Sequence, residues 1–423
     1  MELRLFQVIA VCCLHAILLA PALLVALTAG RNRVDAVLGE YLRRVLAQCG
    51  GAFPKFGQVL STRPDLLPAE TCAQLSGLQD QMPAIRPARL SRLITAAFPV
   101  WPFEQFDPLP VACATIAQVH TARLAGGPQV ALKIMRPRVR ERIDLDCQVA
   151  RALSPLLGLV PVMRSVPLAE ILEDVGRTLR RQTDFCAEAA NLSRLHKDFQ
   201  NYSGVFVPEL YPEFCSSNVL CLEYVGGLKR ITDPSIPDRQ ARELVRLGLH
   251  SLYHMIFETG FLHCDLHPGN LMTAPDGRLV ILDMGLMTEL DPSTQRSFGE
   301  FFAAIALRKG LRAAEIVRST ALRVPPTLDC ASFDRDISDL VERSGGLSAE
   351  QFNVAAFVTE LFEIQGRHGI FGASRFSLII LSLLIYEGIA KQRYPDLDFQ
   401  AEAIPFVLAS LLTNAGDVPL GVQ

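Results

Sequence analysis

The order of apolar and polar positions divides the chain into stretches of different character. Residues 5–29 carry no charged side chain and are interrupted only by Gln7, His15, Pro21 and Thr28. No polar face recurs at helical spacing, so the run predicts a helix that is apolar on all sides. About 20 apolar residues cross a bilayer core, and this run is long enough. A cleavable export signal has a shorter apolar region, about 7–15 residues, so a retained single membrane span is expected. Arg31, Arg33, Arg43 and Arg44 follow the run and only Arg4 precedes it, a bias that places the downstream chain in the cytoplasm.

Beyond it the apolar period becomes helical. Val37, Leu38, Tyr41, Leu42, Val45 and Leu46 form a stripe over residues 34–48, ended by Gly50-Gly51 and Pro54. A further helix starts at Lys55 and is stopped by Pro64, and helical segments follow at 75–81 and 90–98. Pro99, Pro102, Pro108 and Pro110 mark a boundary. From Val111 the period falls to two. Residues 116–124 alternate, Gly126-Gly127 turns, and residues 130–135 return, which predicts a β-hairpin. Helical periods cover 139–157 and 168–199, and residues 219–225 read as a strand running into Gly226-Gly227. After Asp238 helices dominate, apart from short strands around residues 260–283. Residues 377–390 are apolar, but their length and Glu387 predict a core helix rather than a second span. The division expected is a membrane helix over 1–30, a helical extension over 31–107, a strand-bearing lobe over 108–227 and a mostly helical lobe over 228–423.

Composition narrows the partners. Half of the 423 residues are hydrophobic and the formal charge is −3, so no nucleic-acid surface is expected. Eleven cysteines include no Cys-x-x-Cys pair, which points to reduced thiols rather than a disulfide framework.

The chemistry concentrates at His263-Cys264-Asp265-Leu266-His267-Pro268-Gly269-Asn270 and at Leu282-Asp283-Met284-Gly285. An Asp, an Asn five residues on and a second Asp thirteen further match the spacing of a kinase-like phosphate and metal site. Phosphoryl transfer is mostly positioning and charge neutralisation. Asp265 suits the group that orients the attacking hydroxyl or water, and Asn270 and Asp283 suit Mg²⁺. The same residue types also make ordinary polar turns. Upstream, Lys133 sits in a Val-Ala-Leu-Lys strand of the kind that directs an ammonium at ATP phosphates. Glu188, on a helical stretch, is the carboxylate expected to fix it. Taken singly, Lys133 reads equally as an edge-strand lysine and Glu188 as a solvated helix residue. Glu223, Tyr224 and Val225 end a strand whose backbone suits adenine pairing, a weak signal because backbone supplies it whatever the side chains. Where a protein kinase has a glycine-rich phosphate loop, this chain has Ala112, Cys113, Ala114 and Thr115, a stiffer cover.

Together these residues resemble the UbiB-type (AarF-like) atypical kinase family linked to ubiquinone biosynthesis, over residues 46–399. The resemblance is carried by Lys55-Phe56-Gly57-Gln58, Ser61-Thr62-Arg63-Pro64-Asp65, Leu78-Gln79-Asp80-Gln81 and the alanine-rich loop continuing into Ile116-Ala117-Gln118-Val119-His120. Lys133, Glu188-Ala189-Ala190-Asn191, the catalytic loop and Tyr394-Pro395-Asp396-Leu397 complete it. It implies an α+β, two-lobed protein-kinase-like fold with an N-terminal helical extension across the active site, Lys55 and Gln58 reaching the nucleotide pocket and blocking a peptide substrate. It also implies ATP and Mg²⁺ as cofactors, ATPase-like activity, and partners among membrane or quinone-precursor lipids and quinone-biosynthesis enzymes. Three departures stand out: Gln182 where the family has Glu, Met284 where protein kinases have Phe, and an N-terminal rather than a C-terminal apolar span. Aminoglycoside- and choline-kinase-like phosphotransferases share the catalytic loop without the Lys-x-Gly-Gln element. A nucleotide-binding scaffold would bind ATP without turning it over.

Overall fold

The computed structural model describes residues 2–29, 31–61, 67, 69–78, 83–157, 168–345, 353–372 and 374–415. Thr62, Arg63, Pro64, Asp65, Gln79, Asp80 and Gln81, which contribute to the sequence motifs, lie outside them. The chain forms two compact units, Met1–Asn191 with Glu209–Tyr224 and Leu192–Pro208 with Val225–Gln423.

The first unit begins with helix Glu2–Ala29. Its segment Glu2–Ala22, of mean hydropathy 2.2, is long and apolar enough to cross a membrane. Helix Arg31–Cys49 returns along it, with the Tyr41 hydroxyl donating to Cys12 O at 3.2 Å. Gly50 and Gly51 turn the corner in the left-handed region, φ 60° and 66°, a conformation that glycine adopts without steric cost. Helix Phe53–Ser61 follows, then Ala69–Ser76. That second helix stops short of the predicted residue 81 because Gly77 and Leu78 close a turn onto Gln74 O and Leu75 O. Phe53, Phe56, Leu75, Ile143 and Leu179 pack together in one apolar cluster.

Five antiparallel strands form the sheet of this unit. Phe103–Phe106 pairs with Ala117–Leu124, which pairs with Gln129–Met135, which pairs with Val219–Glu223; Ala112–Cys113 also pairs with Ala117–Leu124. Period-2 burial is clear in Gln129–Met135, where Val130, Leu132 and Ile134 are buried. The helical stretch expected over 168–199 is broken into Leu168–Arg181 and Phe185–Phe199. The break has a local cause. Asp184 Oδ1 accepts the Ala187 N–H at 3.0 Å and caps the second helix, while Arg140 donates twice to Thr183 O.

In the second unit, Leu279–Ile281 lies between Val205–Phe206, to which it is parallel, and Leu271–Thr273, which is antiparallel to it and also pairs with Lys229–Arg230. Phe261–His263 pairs instead with Met287–Glu289. Helix Asp238–Tyr253 runs into a π-helical turn, His254–Thr259, that ends on Gly260. Its core is aromatic: Tyr253, Phe257, Phe298, Phe301 and Phe376 meet at centroid separations of 5.3–6.5 Å. Helix Ser374–Arg393 is a core helix, burying Ile379, Leu381, Leu383 and Tyr386. Its Glu387 is buried too, accepting the Val354 and Ala355 N–H groups at 2.8 and 2.9 Å.

Candidate functional site

In the first unit, Lys133 stands on strand Gln129–Met135 and Glu188 on the first turn of helix Phe185–Phe199. Lys133 Nζ donates to Glu188 Oε1 at 2.6 Å, with the two side chains only 15% and 5% exposed. A bond this short between groups this buried fixes the lysine rotamer, and removing one partner of such a pair costs about 3–5 kcal/mol. The ammonium also lies 5.5 Å from the centroid of the buried Phe185 ring.

The alanine-rich segment is a tight strand end rather than an open loop. Ala112 and Cys113 face Val119 and Gln118, and the Ala114 N–H donates to Ala117 O at 2.9 Å. Arg136 fastens it: Nε donates to Ala114 O at 2.6 Å and Nη1 to Pro83 O at 3.0 Å. Thr115 is buried within it. Gln118 extends the fastening, since its Oε1 accepts the Ile85 N–H and its Nε2 meets His120 Nε2. His120 Nδ1 meets Asp107 O at 2.9 Å. Burial pushes this imidazole below its ordinary value, so the ring is neutral, donating from Nδ1 and accepting at Nε2. Sequence reasoning passed over Arg136 and treated Gln118 only as a motif letter. A strand residue whose polar side chain falls on an inward position, as Gln118 does, was the available signal.

Gly57 explains its own place in the Lys-x-Gly-Gln element. A Cβ there would lie 2.1 Å from Leu78 Cδ1 and 2.9 Å from Leu46 Cδ1, so any side chain would have to push both leucines aside for helix Phe53–Ser61 to keep its approach. Gln58 Nε2 donates to Leu78 O at 3.1 Å, and Lys55 is half-buried on the same helix. At Gln182, the N–H donates to Thr178 O. At the strand end, the Glu223 N–H donates to Glu209 O at 2.8 Å and the Tyr224 N–H reaches Gln129 O at 3.4 Å; Val225 begins the segment Val225–Gln423 of the second unit.

In the second unit, the loop His263–Asn270 is knitted around the carbonyl of Asp265. That oxygen accepts the His267 N–H and Asn270 Nδ2, both at 2.9 Å. With Nδ2 so engaged, the Asn270 amide offers its Oδ1 as a hard oxygen donor. His267 Nδ1 accepts the Gly269 N–H at 2.8 Å, and a Cβ on Gly269 would lie 2.5 Å from the His267 ring. A side chain there would displace the His267 ring from this contact. Asp265 is half-buried and Asn270 buried.

His263 ties this loop to the segment bearing Asp283. Its Nδ1 accepts the Asp265 N–H at 3.1 Å, so Nε2 holds the proton and donates to Leu282 O at 3.3 Å. Complete burial drives the imidazole below its ordinary value, so the ring stays neutral. The Leu282 N–H in turn donates to Asn270 O at 2.9 Å. Asp283 then takes φ 61°, one of three non-glycine residues at positive φ among the described residues. Asp tolerates this region better than most residues, and its Oδ1 accepts the Gly285 N–H at 3.3 Å while the residue remains exposed. Beside it, Met284 is buried as an apolar plug. Mg²⁺ takes hard oxygen ligands and is commonly held by one or two carboxylates plus substrate phosphates. The oxygens of Asp283 and Asn270 fit that description.

A strand-borne lysine paired to a helix glutamate, with this loop and a strained Asp after a buried strand, defines a kinase-like protein. Residues 77–317 match the family model described as the ABC1 atypical kinase-like domain. "Probable protein kinase UbiB" of Shewanella loihica is 31% identical over 404 residues, covering 92% of this chain and 72% of that protein. "Uncharacterized protein slr1919" of Synechocystis is 30% identical, covering 89% and 67% respectively. Among solved structures, the fold is similar to that of "The complex structure of Rv3197-erythromycin from Mycobacterium tuberculosis". That likeness has a TM-score of 0.51 and 18% identity, over 81% of this chain and 88% of that one. The chain belongs to the ABC1, or UbiB-type, family of atypical kinases.

Proposed function

We propose that the protein is a Mg²⁺-ATP-dependent atypical kinase or ATPase that acts in isoprenoid-quinone lipid biosynthesis at a membrane. The observation that carries the reading is the buried Lys133–Glu188 pair at 2.6 Å. A desolvated ammonium held by a carboxylate is costly to keep, and steering nucleotide phosphates is the use this reading gives it. In this reading Lys133 neutralises phosphate charge and Glu188 holds its rotamer. Asp265 orients the attacking hydroxyl or water and accepts its proton. Asn270 and Asp283 hold Mg²⁺, which when bound offsets the charge of the phosphates. The backbone of Glu223, Tyr224 and Val225 serves adenine, and the segment Ala112, Cys113, Ala114 and Thr115 covers the phosphates. Lys55 and Gln58 exclude a peptide substrate. The quinone link and the lipid partner follow from the family resemblance, and the apolar helix Glu2–Ala29 supports the membrane location, with the remaining chain on the cytoplasmic side.

Thermal unfolding with and without Mg²⁺-ATP tests the nucleotide reading. The wild type is expected to be stabilised by ATP only when Mg²⁺ is present, and Asp283→Asn to lose that shift. A variant that kept the full shift would remove Asp283 from metal binding.

A further inference from the structure

The first helix carries more information than its hydropathy. Its packed side is a narrow stripe: Val8 and Ala26 are buried and Leu5, Val11, Cys12 and His15 half-buried, at helical spacing. Away from this stripe Leu3, Phe6, Leu14, Ile17 and Leu18 are bare apolar side chains, up to 85% exposed. Its N-terminal end is locked into the fold. Arg4 Nε donates to Asp146 Oδ1 at 2.8 Å, Nη1 to Cys49 O at 2.9 Å and Nη2 to Gly50 O at 3.1 Å. Asp146, 3% exposed at its side chain, also accepts the Ala52 N–H at 2.8 Å. Further along, Tyr41 donates to Cys12 O, and a 220 Å³ notch is lined by Leu19 and Ala22 of this helix and by Arg33, Val37 and Arg44 of the next.

Crossing a bilayer in this conformation would carry the paired helix Arg31–Cys49 with it. That helix bears Arg33, Asp35, Glu40, Arg43 and Arg44, and charged side chains are among the costliest to place in hydrocarbon. Lying in the interface resolves the conflict. The bare apolar side enters the acyl region and the charged helix meets water and headgroups. The exposed Arg33 complements anionic headgroups there, while Arg44 is paired with Glu40 at 2.7 Å. Lipid suits the face better than protein, because Leu3, Phe6, Leu14, Ile17 and Leu18 offer no polar atoms for the hydrogen bonds a protein interface carries.

We propose that helix Glu2–Ala29 docks the protein flat on a bilayer surface, its exposed apolar side in the acyl region and helix Arg31–Cys49 towards the headgroups. This deepens the membrane part of the function proposed above and is independent of the nucleotide chemistry.

Tryptophan depth measurement tests it. Trp101 is the single tryptophan, so the full chain is prepared as Trp101→Phe with either Leu3→Trp or Leu14→Trp. Each is bound to phosphatidylcholine–phosphatidylglycerol vesicles brominated near the headgroup or deep in the acyl chain. Both substituted sites are exposed. Residues 3 and 14 are about 16 Å apart along a helix axis, and in a helix crossing the bilayer over Glu2–Ala22 one lies at the end and the other near the middle. Flat docking gives the two positions the same ratio of shallow to deep quenching, with shallow dominant. Ratios that differ between them would show a crossing helix and overturn the proposal. Absence of quenching together with a dimer in solution would assign the face to a second copy and overturn it equally. Equal shallow quenching with no Mg²⁺-ATP thermal shift would support the docking and refute only the nucleotide reading.

Discussion

His263 shows how one side chain sets the geometry of several others. Its two ring nitrogens join the Asp265 N–H to the Leu282 carbonyl, and this works only for the neutral ring with its proton on Nε2. Burial lowers its pKa from the ordinary 6.5. A histidine with a depressed native pKa binds more protons when unfolded, so its contribution to stability is full above about 6.5 and is lost as pH falls towards the native pKa. His263→Gln is therefore expected to flatten the stability slope between pH 6.5 and 5 by up to about 1.4 kcal/mol per pH unit. Chemical denaturation across that range measures it. An unchanged slope would mean that native His263 takes up the proton. The sequence made the spacing of Asp265, Asn270 and Asp283 readable, because the motif depends on residue type and local loop length. The role of His263 was not readable, since its partner Leu282 lies nineteen residues away and joins it through backbone atoms.

Among the elements, the corner between helices Arg31–Cys49 and Phe53–Ser61 is built around an ion pair from far away in the chain. A Cβ on Gly51 would lie 2.6 Å from Asp146 Oδ2 and 2.7 Å from Arg4 Nη2, whereas one on Gly50 would meet nothing within 4 Å. Both residues have positive φ, so either alanine carries a backbone cost of about 1–2 kcal/mol. Gly51→Ala should lose about 1–3 kcal/mol more, because it also displaces the buried Arg4–Asp146 contact. Equal melting temperatures for the two variants would show that the corner relaxes without disturbing that pair. Periodicity located the helices over 34–48 and 139–157 and the hairpin to within a few residues, whereas the helix expected over 75–81 runs over Ala69–Ser76. It did not foresee the break at residues 182–184, where apolar spacing continues but the Asp184 cap and the Arg140 contacts with Thr183 O redirect the chain. Nor did it foresee that Phe261–His263 and Leu279–Ile281 belong to different sheets, because pairing partners are chosen by tertiary packing.

At the scale of the whole molecule, family membership and local geometry supply different parts of the account. The ABC1 match over residues 77–317 covers the segment from the end of the Lys-x-Gly-Gln helical region to beyond Asp283. Within it each unit holds its own group of candidate site residues: Lys133 with Glu188 in one, Asp265, Asn270 and Asp283 in the other. Residues before the match supply the helix Glu2–Ala29 and its latch to Asp146. The central claim is that these clusters serve ATP chemistry rather than nucleotide sensing. Steady-state ATP hydrolysis by the full chain, with Mg²⁺ and lipid vesicles, tests it most directly when wild type is compared with Asp265→Asn. Positioned general bases contribute about 10²–10⁴-fold. The expected result is Mg²⁺-dependent turnover that falls at least about 100-fold in Asp265→Asn while the Mg²⁺-ATP thermal shift is retained. Hydrolysis that is absent from the wild type, or unchanged in the variant, would contradict the claim.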